Sequence, residues 1–151
     1  MVLTHPFHCP VHVVEGHAYD EALETLLATR PWALVTSPSW ITRGVVEALK
    51  SRCGEPVAVA SDVMPNPRLS NVIKLAGALE NASVVVALGG GSVIDATKGM
   101  VALNSVKGDL NILLSHLREG LALPKNITPI PIIAVPTTSG TGSEVTRWGT
   151  I

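Results

Sequence analysis

The sequence has little net charge with which to attract a polyanion. Its 11 Lys and Arg residues are balanced by 12 Asp and Glu residues, so the formal net charge is −1 at pH 7. Domains that bind nucleic acids or anionic membrane surfaces usually carry clustered positive charge. We therefore expect no nucleic acid and no membrane among the partners of this chain.

The sequence also lacks long hydrophobic runs and a signal-like start. A membrane-spanning helix needs about 20 consecutive apolar residues, and no run approaches that length. The opening residues MVLTHPFHCPVH have neither the positively charged start nor the long apolar stretch of a secretory signal. The two cysteines, Cys9 and Cys53, are too few for a disulfide framework. These features predict a cytoplasmic location.

Hydrophobic residues make up 46% of the 151 residues, in short runs that alternate with amphipathic stretches. Buried β-branched runs with helices between them are typical of a parallel sheet covered on both faces. We therefore predict one α/β domain over residues 1–151, a length that allows a real core. The predicted strands are 11–14, 32–36, 57–60, 84–88 and 130–135, and the predicted helices are 18–29, 39–52, 69–80, 92–103 and 110–117.

Polar or glycine-rich loops follow four of the predicted strands. In open α/β sheets, ligands bind outside the carboxyl ends of the strands. Because those ends lie at one edge of a parallel sheet, the sequence predicts a ligand site there. The four loops are Thr36–Ser37, Ser61–Asn66, Gly89–Ser92 and Thr137–Ser143.

Gly89, Gly90 and Gly91 remove three Cβ atoms where a strand turns into a helix. Backbone N–H groups can then approach an anion, and the helix N-terminus adds partial positive charge. Ser92 can cap the helix or donate to a phosphate oxygen, and Asp95 stands in capping-box relation to it. Since a carboxylate repels pyrophosphate, we expect Asp95 to cap the helix or to contact a ribose or an amide. A tight strand-to-helix turn without a ligand is the alternative. The loop matches neither G-x-G-x-x-G nor the P-loop pattern, so it is neither an ordinary Rossmann nor a Walker motif.

The second loop carries five hydroxyl groups within seven residues. Such a loop can wrap a ribose or a phosphate, or line a nicotinamide. The alternative is a flexible Ser/Gly linker, although Pro136 fixes the start of the loop and ordered sequence resumes at Glu144. The hydroxyl residues are Thr137, Thr138, Ser139, Thr141 and Ser143.

With VALGGGSVIDATKGM at 86–100, PNP at 65–67 and PIIAVPTTSGTGSEVT at 131–146, the sequence resembles the iron-containing, metal-dependent alcohol dehydrogenases. The resemblance covers essentially the whole chain. It implies a Rossmann-like N-terminal domain of the dehydroquinate-synthase-like fold that binds NAD or NADP. The residues similar to the family's dinucleotide contacts are Asn66, Gly90, Gly91, Ser92, Asp95, Thr137, Thr138, Thr141 and Ser143.

Two further residues, Gly89 and Ser37, complete the predicted cofactor site. The loop from Gly89 to Ser92 is expected to hold the pyrophosphate, and Thr138 and Thr141 to lie on the nicotinamide side. Many family members have an aspartate that binds the adenosine ribose where this sequence has Ser37. Its loss removes repulsion against a 2′-phosphate, so both NADP and NAD remain open.

The resemblance also implies a divalent metal, iron or zinc, held by one aspartate and three histidines in a helical C-terminal domain. No residue of this chain matches those ligands, so we predict that the chain alone is inactive and needs that domain. His5, His8, Cys9 and His12 offer metal-competent side chains, but no second cluster follows them. Arg147 could meet an anionic substrate group or lie on the surface.

The resemblance thus implies that the chain is the cofactor-binding half of a dehydrogenase for a small alcohol or aldehyde, in a homodimer. One alternative is a stand-alone nucleotide-binding module without catalysis. Another is a glycerol-phosphate dehydrogenase or a dehydroquinate-synthase-type enzyme on the same fold. The segment TTSGTGSE at 137–144 is more similar to the alcohol dehydrogenases than to either of those enzymes.

Overall fold

A computed structural model describes residues 11–14, 19–146 and 149–151. Short 3-10 turns at Ala76–Leu79 and Ser143–Val145 accompany the helices and strands. In chain order these are α1 (Tyr19–Leu27), β1 (Trp32–Val35), α2 (Pro38–Thr42), α3 (Val45–Cys53), β2 (Ala58–Ala60), α4 (Leu69–Leu75), β3 (Val84–Gly89), α5 (Gly91–Ser105), α6 (Leu110–Glu119) and β4 (Ile132–Pro136).

The four strands form one parallel sheet in the order β2-β1-β3-β4. The register places Val35 opposite both Ala60 and Ala87, and Leu88 opposite Val135. The chain winds outward from β1 to β2 and then returns past β1 to β3. The winding direction therefore reverses between β1 and β3, and such a switch point is where open α/β sheets bind ligands.

Side chains that alternate along the strands build a core on each face of the sheet. On one face, Ala33 and Val35 of β1 pack with side chains of α4 and α5. On the other face, Trp32 and Leu34 pack with side chains of α1 and α3. This two-sided burial confirms the predicted parallel sheet and explains why β1 and β3 are apolar throughout.

Strand β4 has a less complete covering than the inner strands. Every residue of β3 is buried, whereas Ile132–Val135 are only partly buried. A cavity of about 980 Å³ runs beside β4, with walls from the 11–14 segment, α1 and the Ser143–Thr146 segment. In the described part of the chain, no helix is both long and apolar enough to cross a membrane.

The predicted strand at Val11–Val14 is wrong, because this segment forms no strand and its four side chains are exposed. A four-residue segment with three valines is a weak signal, since a strand also needs a partner with free hydrogen-bonding groups.

The predicted helix over 39–52 is two helices, α2 and α3. Gly44 adopts φ +74° between them, a left-handed conformation that interrupts a right-handed helix. The N-cap position of α2 is Ser37. A glycine inside a helical pattern is the sequence feature that marks this break.

The predicted helix over 69–80 ends as an α-helix at Leu75 and continues as a 3-10 turn. Within this helix the apolar Ile73 is exposed, whereas the polar Asn71 is buried. Asn71 takes the inner position because its amide donates to Asp62 O at 3.0 Å and accepts from Met64 N at 3.1 Å. A buried polar residue with its partners satisfied carries little desolvation cost.

Candidate functional site

The strand ends at the switch point are tied together by Thr36. This side chain is fully buried. Its Oγ1 donates to Leu88 O at 2.8 Å, and its backbone N–H donates to Ala60 O at 2.9 Å. One residue therefore links the ends of β1, β2 and β3. These hydrogen bonds fix the points at which the polar loops after β1, β2 and β3 begin.

Ser37 follows at the end of β1 and is half-buried. Its Oγ lies 3.0 Å from Ser39 Oγ, so two hydroxyl groups stand side by side at this point of the rim. Hydroxyl groups both donate and accept, whereas a carboxylate at this position would only accept.

The glycine loop after β3 packs directly against the hydroxyl-rich loop after β4. Gly89 O accepts a hydrogen bond from Thr137 N at 3.0 Å. A Cβ atom on Gly90 would lie only 2.9 Å from Thr138 Oγ1. The absence of a side chain at position 90 therefore allows the two loops to meet.

Gly91 makes the same kind of approach one residue later. A Cβ atom there would lie 3.1 Å from Ser143 Oγ and 3.2 Å from Thr141 Cβ. The two glycines and three hydroxyl side chains thus form one continuous polar surface at the start of α5. The first N–H groups of a helix have no partner within the helix, so this surface includes backbone donors.

The loop after β2 joins this surface through Asn66. This residue has φ +51°, and its N–H donates to Ser92 Oγ at 3.2 Å. The predicted capping role of Ser92 is wrong, because Gly90 occupies the N-cap position of α5 and no side chain caps it. Ser92 is instead the second residue of α5, and its hydroxyl group holds the loop after β2 through the hydrogen bond from Asn66.

The capping-box prediction for Asp95 is wrong for the same reason. Its Oδ2 accepts a hydrogen bond from Thr150 N at 3.1 Å, and its Oδ1 lies 3.7 Å from Lys98 Nζ. The carboxylate thus contacts the segment that follows the hydroxyl-rich loop. Whether it also contacts a cofactor stays a prediction.

Lys98 is a polar residue of this region that the sequence reasoning missed. Its Nζ donates to Thr146 Oγ1 at 3.2 Å, and its side chain is only 19% exposed. Burial lowers the pKa of Lys98, and the nearby carboxylates of Asp95 and Glu144 oppose that shift. The only lysine of α5, three residues after the only aspartate of that helix and among mostly buried positions, is the signal that could have identified it.

The cavity beside β4 touches the rim only at Thr137 and Ser143, and it does not extend over the glycine loop. Its walls are mostly apolar side chains of α1, β4 and the 11–14 segment. The cavity therefore marks the uncovered side of β4. It meets the polar surface at the strand ends through Thr137 and Ser143, and Lys98 and Glu144 are also in its walls.

No metal centre is found in residues 11–14, 19–146 and 149–151, where no three His, Cys, Asp or Glu side chains group together. Three members of the predicted N-terminal cluster, His5, His8 and Cys9, lie outside the described residues, as does Arg147.

The structure brings most of the predicted site residues to one edge of the sheet. Ser37 lies at the end of the neighbouring strand β1, and Asp95 lies one turn further along α5. The residues that meet around the first turn of α5 are Asn66, Gly89, Gly90, Gly91, Ser92, Thr137, Thr138, Thr141 and Ser143.

Comparison of the sequence with models of known protein families gives one match over nearly the whole chain. The model of the family described as "Iron-containing alcohol dehydrogenase" matches residues 10–151. The chain belongs to this family. The resemblance inferred from the two loop motifs is thereby confirmed, and so is the Rossmann-like fold class.

Two curated members of the family illustrate the similarity. A 4-hydroxybutyrate dehydrogenase of Cupriavidus necator is 39% identical over 76% of this chain and 30% of its own length. A lactaldehyde reductase of Escherichia coli is 35% identical over 75% of this chain and 30% of its own length. This chain therefore spans about a third of the length of these relatives.

Solved structures of family members have the same fold. A sulfoacetaldehyde reductase from Bifidobacterium kashiwanohense in complex with NAD+ has a TM-score of 0.77 and 30% identity, covering 93% of this chain and 38% of that one. An iron-containing alcohol dehydrogenase from Thermotoga maritima has a TM-score of 0.73 and 30% identity, covering 93% of this chain and 40% of that one.

Proposed function

We propose that this chain is the NAD(P)-binding part of a metal-dependent dehydrogenase that interconverts a small alcohol and its aldehyde. One observation carries the proposal most strongly. Gly90 and Gly91 begin a 15-residue helix while in contact with hydroxyl side chains of the next loop. Glycine backbone, a helix N-terminus and converging hydroxyl groups are a suitable combination for a pyrophosphate and its riboses.

Each loop would hold a different part of the dinucleotide. The backbone from Gly89 to Ser92 would bind the pyrophosphate, with Asn66 held against it by the hydrogen bond to Ser92. Thr138 and Thr141 would bind the nicotinamide side, since they extend the same surface toward the end of β4. Thr137, Ser143 and Asp95 complete the proposed contacts.

The adenosine ribose would lie beside Ser37. The pair of hydroxyls from Ser37 and Ser39 can donate to a 2′-phosphate or bond a 2′-hydroxyl. The site is therefore compatible with both NADP and NAD. Because Ser37 stands where many family members have an aspartate, no carboxylate at this position repels the 2′-phosphate of NADP.

When bound, a nicotinamide dinucleotide supplies the hydride acceptor or donor for the reaction. The residues of this chain would bind and orient it. A divalent iron or zinc ion belongs to the proposal through the family alone, because the described residues offer no group of ligands for it. Its ligands, and the catalytic step that depends on them, would come from the helical C-terminal domain that the resemblance implies.

Homodimeric assembly and a cytoplasmic location are also parts of this proposal. They rest on the resemblance and on the cysteine content of the sequence. Static light scattering tests the assembly, and a uniform mass of one chain would contradict it.

Calorimetric titration of the purified chain with NADH and NADPH tests the proposed binding. We expect saturable binding that Gly90→Val weakens at least about tenfold, because the new side chain would push Thr138 away. Gly77→Val is the matched control, since a Cβ atom there meets nothing closer than 3.9 Å. No binding by a chain that circular dichroism shows to be folded would contradict the proposal.

A further inference from the structure

One face of α5 is fastened to the segment that follows the hydroxyl-rich loop. Lys98 Nζ lies 3.7 Å from Asp95 Oδ1 on its own helix and donates to Thr146 Oγ1 at 3.2 Å. The two charged side chains are 19% and 13% exposed, so the pair is largely removed from solvent. A contact of this kind holds Thr146, three residues after the loop ends, against the helix.

Asp95 reaches the same segment further along. Its Oδ2 accepts from Thr150 N at 3.1 Å, and Gly149 lies close enough that a Cβ there would be 3.4 Å from Asp95 O. Gly99, on the next turn, leaves room for the side chain of Ile151. Positions 95, 98 and 99 share a helix face. That face therefore contacts the chain beyond Ser143 at two places, Thr146 and residues 149–151.

The small exposure of this pair makes it a weak source of added stability. Burial lowers the pKa of Lys98 despite the attraction of Asp95 and Glu144, so desolvation outweighs the charge interactions. Buried ion pairs often contribute little net stability and are as easily replaced by apolar groups. What the pair does provide is a directional contact at a defined place on α5.

The same residues connect this contact to the proposed cofactor surface. Ser143, at the end of the hydroxyl-rich loop, is buried and lies against Gly91. The loop is thus held at its start by Thr137 N bonding Gly89 O, and at its end by Lys98 through Thr146. Between these points, Thr138 and Thr141 lie on an exposed stretch.

We propose that Lys98, braced by Asp95, is a positioning residue that fixes the hydroxyl-rich loop for the nicotinamide end of the dinucleotide. The inference rests on the proposed function. It assigns Lys98 no contact with the cofactor. The pyrophosphate surface from Gly89 to Ser92 is held by β3 and α5 themselves, so it does not depend on this lysine.

The test compares NADH with ADP-ribose, which lacks the nicotinamide, by calorimetric titration of the purified chain. We expect Lys98→Met to weaken NADH binding about tenfold while it changes ADP-ribose binding less than about twofold. Lys98→Arg retains the charge and should recover part of the loss. Lys74→Met is the control, because Lys74 also pairs with an aspartate, Asp62, but on the exposed surface.

A second measurement follows the loop itself. Hydrogen exchange of the ligand-free chain should be faster at amides 137–146 in Lys98→Met and unchanged in α6. A merely structural role would instead speed exchange throughout the domain and weaken both ligands equally.

The outcomes separate the two proposals. If the wild-type chain binds ADP-ribose and NADH, but Lys98→Met binds both as tightly as wild type does, the positioning role is overturned and the proposed function stands. Equal weakening of both ligands also overturns it. If the folded wild-type chain binds neither ligand, the proposed function fails, and this inference fails with it.

Discussion

Asn66 donates its backbone N–H to Ser92 Oγ at 3.2 Å, across 26 residues of sequence. This hydrogen bond joins the loop after β2, an edge strand of the described sheet, to the first turn of α5. Asn66 holds φ +51° while it does so, a conformation that costs most residues free energy but that asparagine tolerates. The loop after β2 therefore belongs to the candidate site together with the loops after β1, β3 and β4.

Ser92→Ala is expected to lower the free energy of unfolding by about 1 kcal/mol, because the N–H of Asn66 loses its acceptor. Dinucleotide affinity should fall as well, since the loop after β2 is then less firmly held. Urea denaturation and calorimetric titration measure the two effects. Ser105→Ala is the control, as it loses a hydrogen bond to Ala102 O at the other end of the same helix. Equal loss of affinity in both variants would contradict the role given to Ser92.

The sequence was sufficient to predict this edge of the sheet but not the contacts within it. The order of strands and loops follows from apolar runs that each end in a polar or glycine-rich loop, and α/β geometry then places those loops together. Capping by Ser92 and Asp95 was predicted wrongly, because a shift of two residues in the helix start changes which residue occupies the N-cap. The N-cap residue, Gly90, lies against Thr138, a contact between distant parts of the chain that the local sequence does not show.

Gly89→Ala should destabilise the domain strongly. Its Cβ atom would lie 2.5 Å from Val93 Cγ2, well inside contact distance and against a side chain with little freedom to move. Overpacking a tight core site costs about 1–3 kcal/mol. Thermal unfolding followed by circular dichroism measures the effect.

Gly77→Ala provides the comparison for this change. A Cβ atom there meets nothing closer than Glu80 Oε1 at 3.9 Å, so the melting temperature should stay near that of wild type. A Gly89→Ala protein as stable as Gly77→Ala would show that the turn after β3 can relax, and the described packing of that turn would be wrong.

Thr36→Val tests the link between the ends of β1 and β3. Valine keeps the shape of the side chain but removes the donor to Leu88 O, which leaves a buried carbonyl without that partner. Such a loss costs about 1–3 kcal/mol. Thr25→Val, which removes an exposed hydrogen bond to Glu21 O, should cost less than about 0.5 kcal/mol. Denaturant unfolding compares the two variants, and equal stabilities would contradict the importance of Thr36.

Thr36 and Lys98 show why part of the site could not be predicted from sequence patterns. Both are polar residues in apolar surroundings, and the sequence does not say which distant group each one reaches. Thr36 could have been a surface residue of the rim, yet it is fully buried with its partners 24 and 52 residues away. Periodicity predicts the face of an element, whereas these partners depend on how separate elements pack.

The lowered pKa of Lys98 gives the stability of the protein a defined dependence on pH. The pKa in the folded state lies below the value of 10.5 for an unperturbed lysine. Between those two values the unfolded chain binds more protons than the folded chain, so the free energy of unfolding rises with pH. Relative to Lys98→Met, the wild-type protein should therefore gain stability as the pH approaches 10.5 from below. Urea denaturation at a series of pH values, with Lys74→Met as the baseline, measures this difference. A difference that falls with rising pH would mean that the carboxylates of Asp95 and Glu144 outweigh burial, and Lys98 would then stabilise the fold directly.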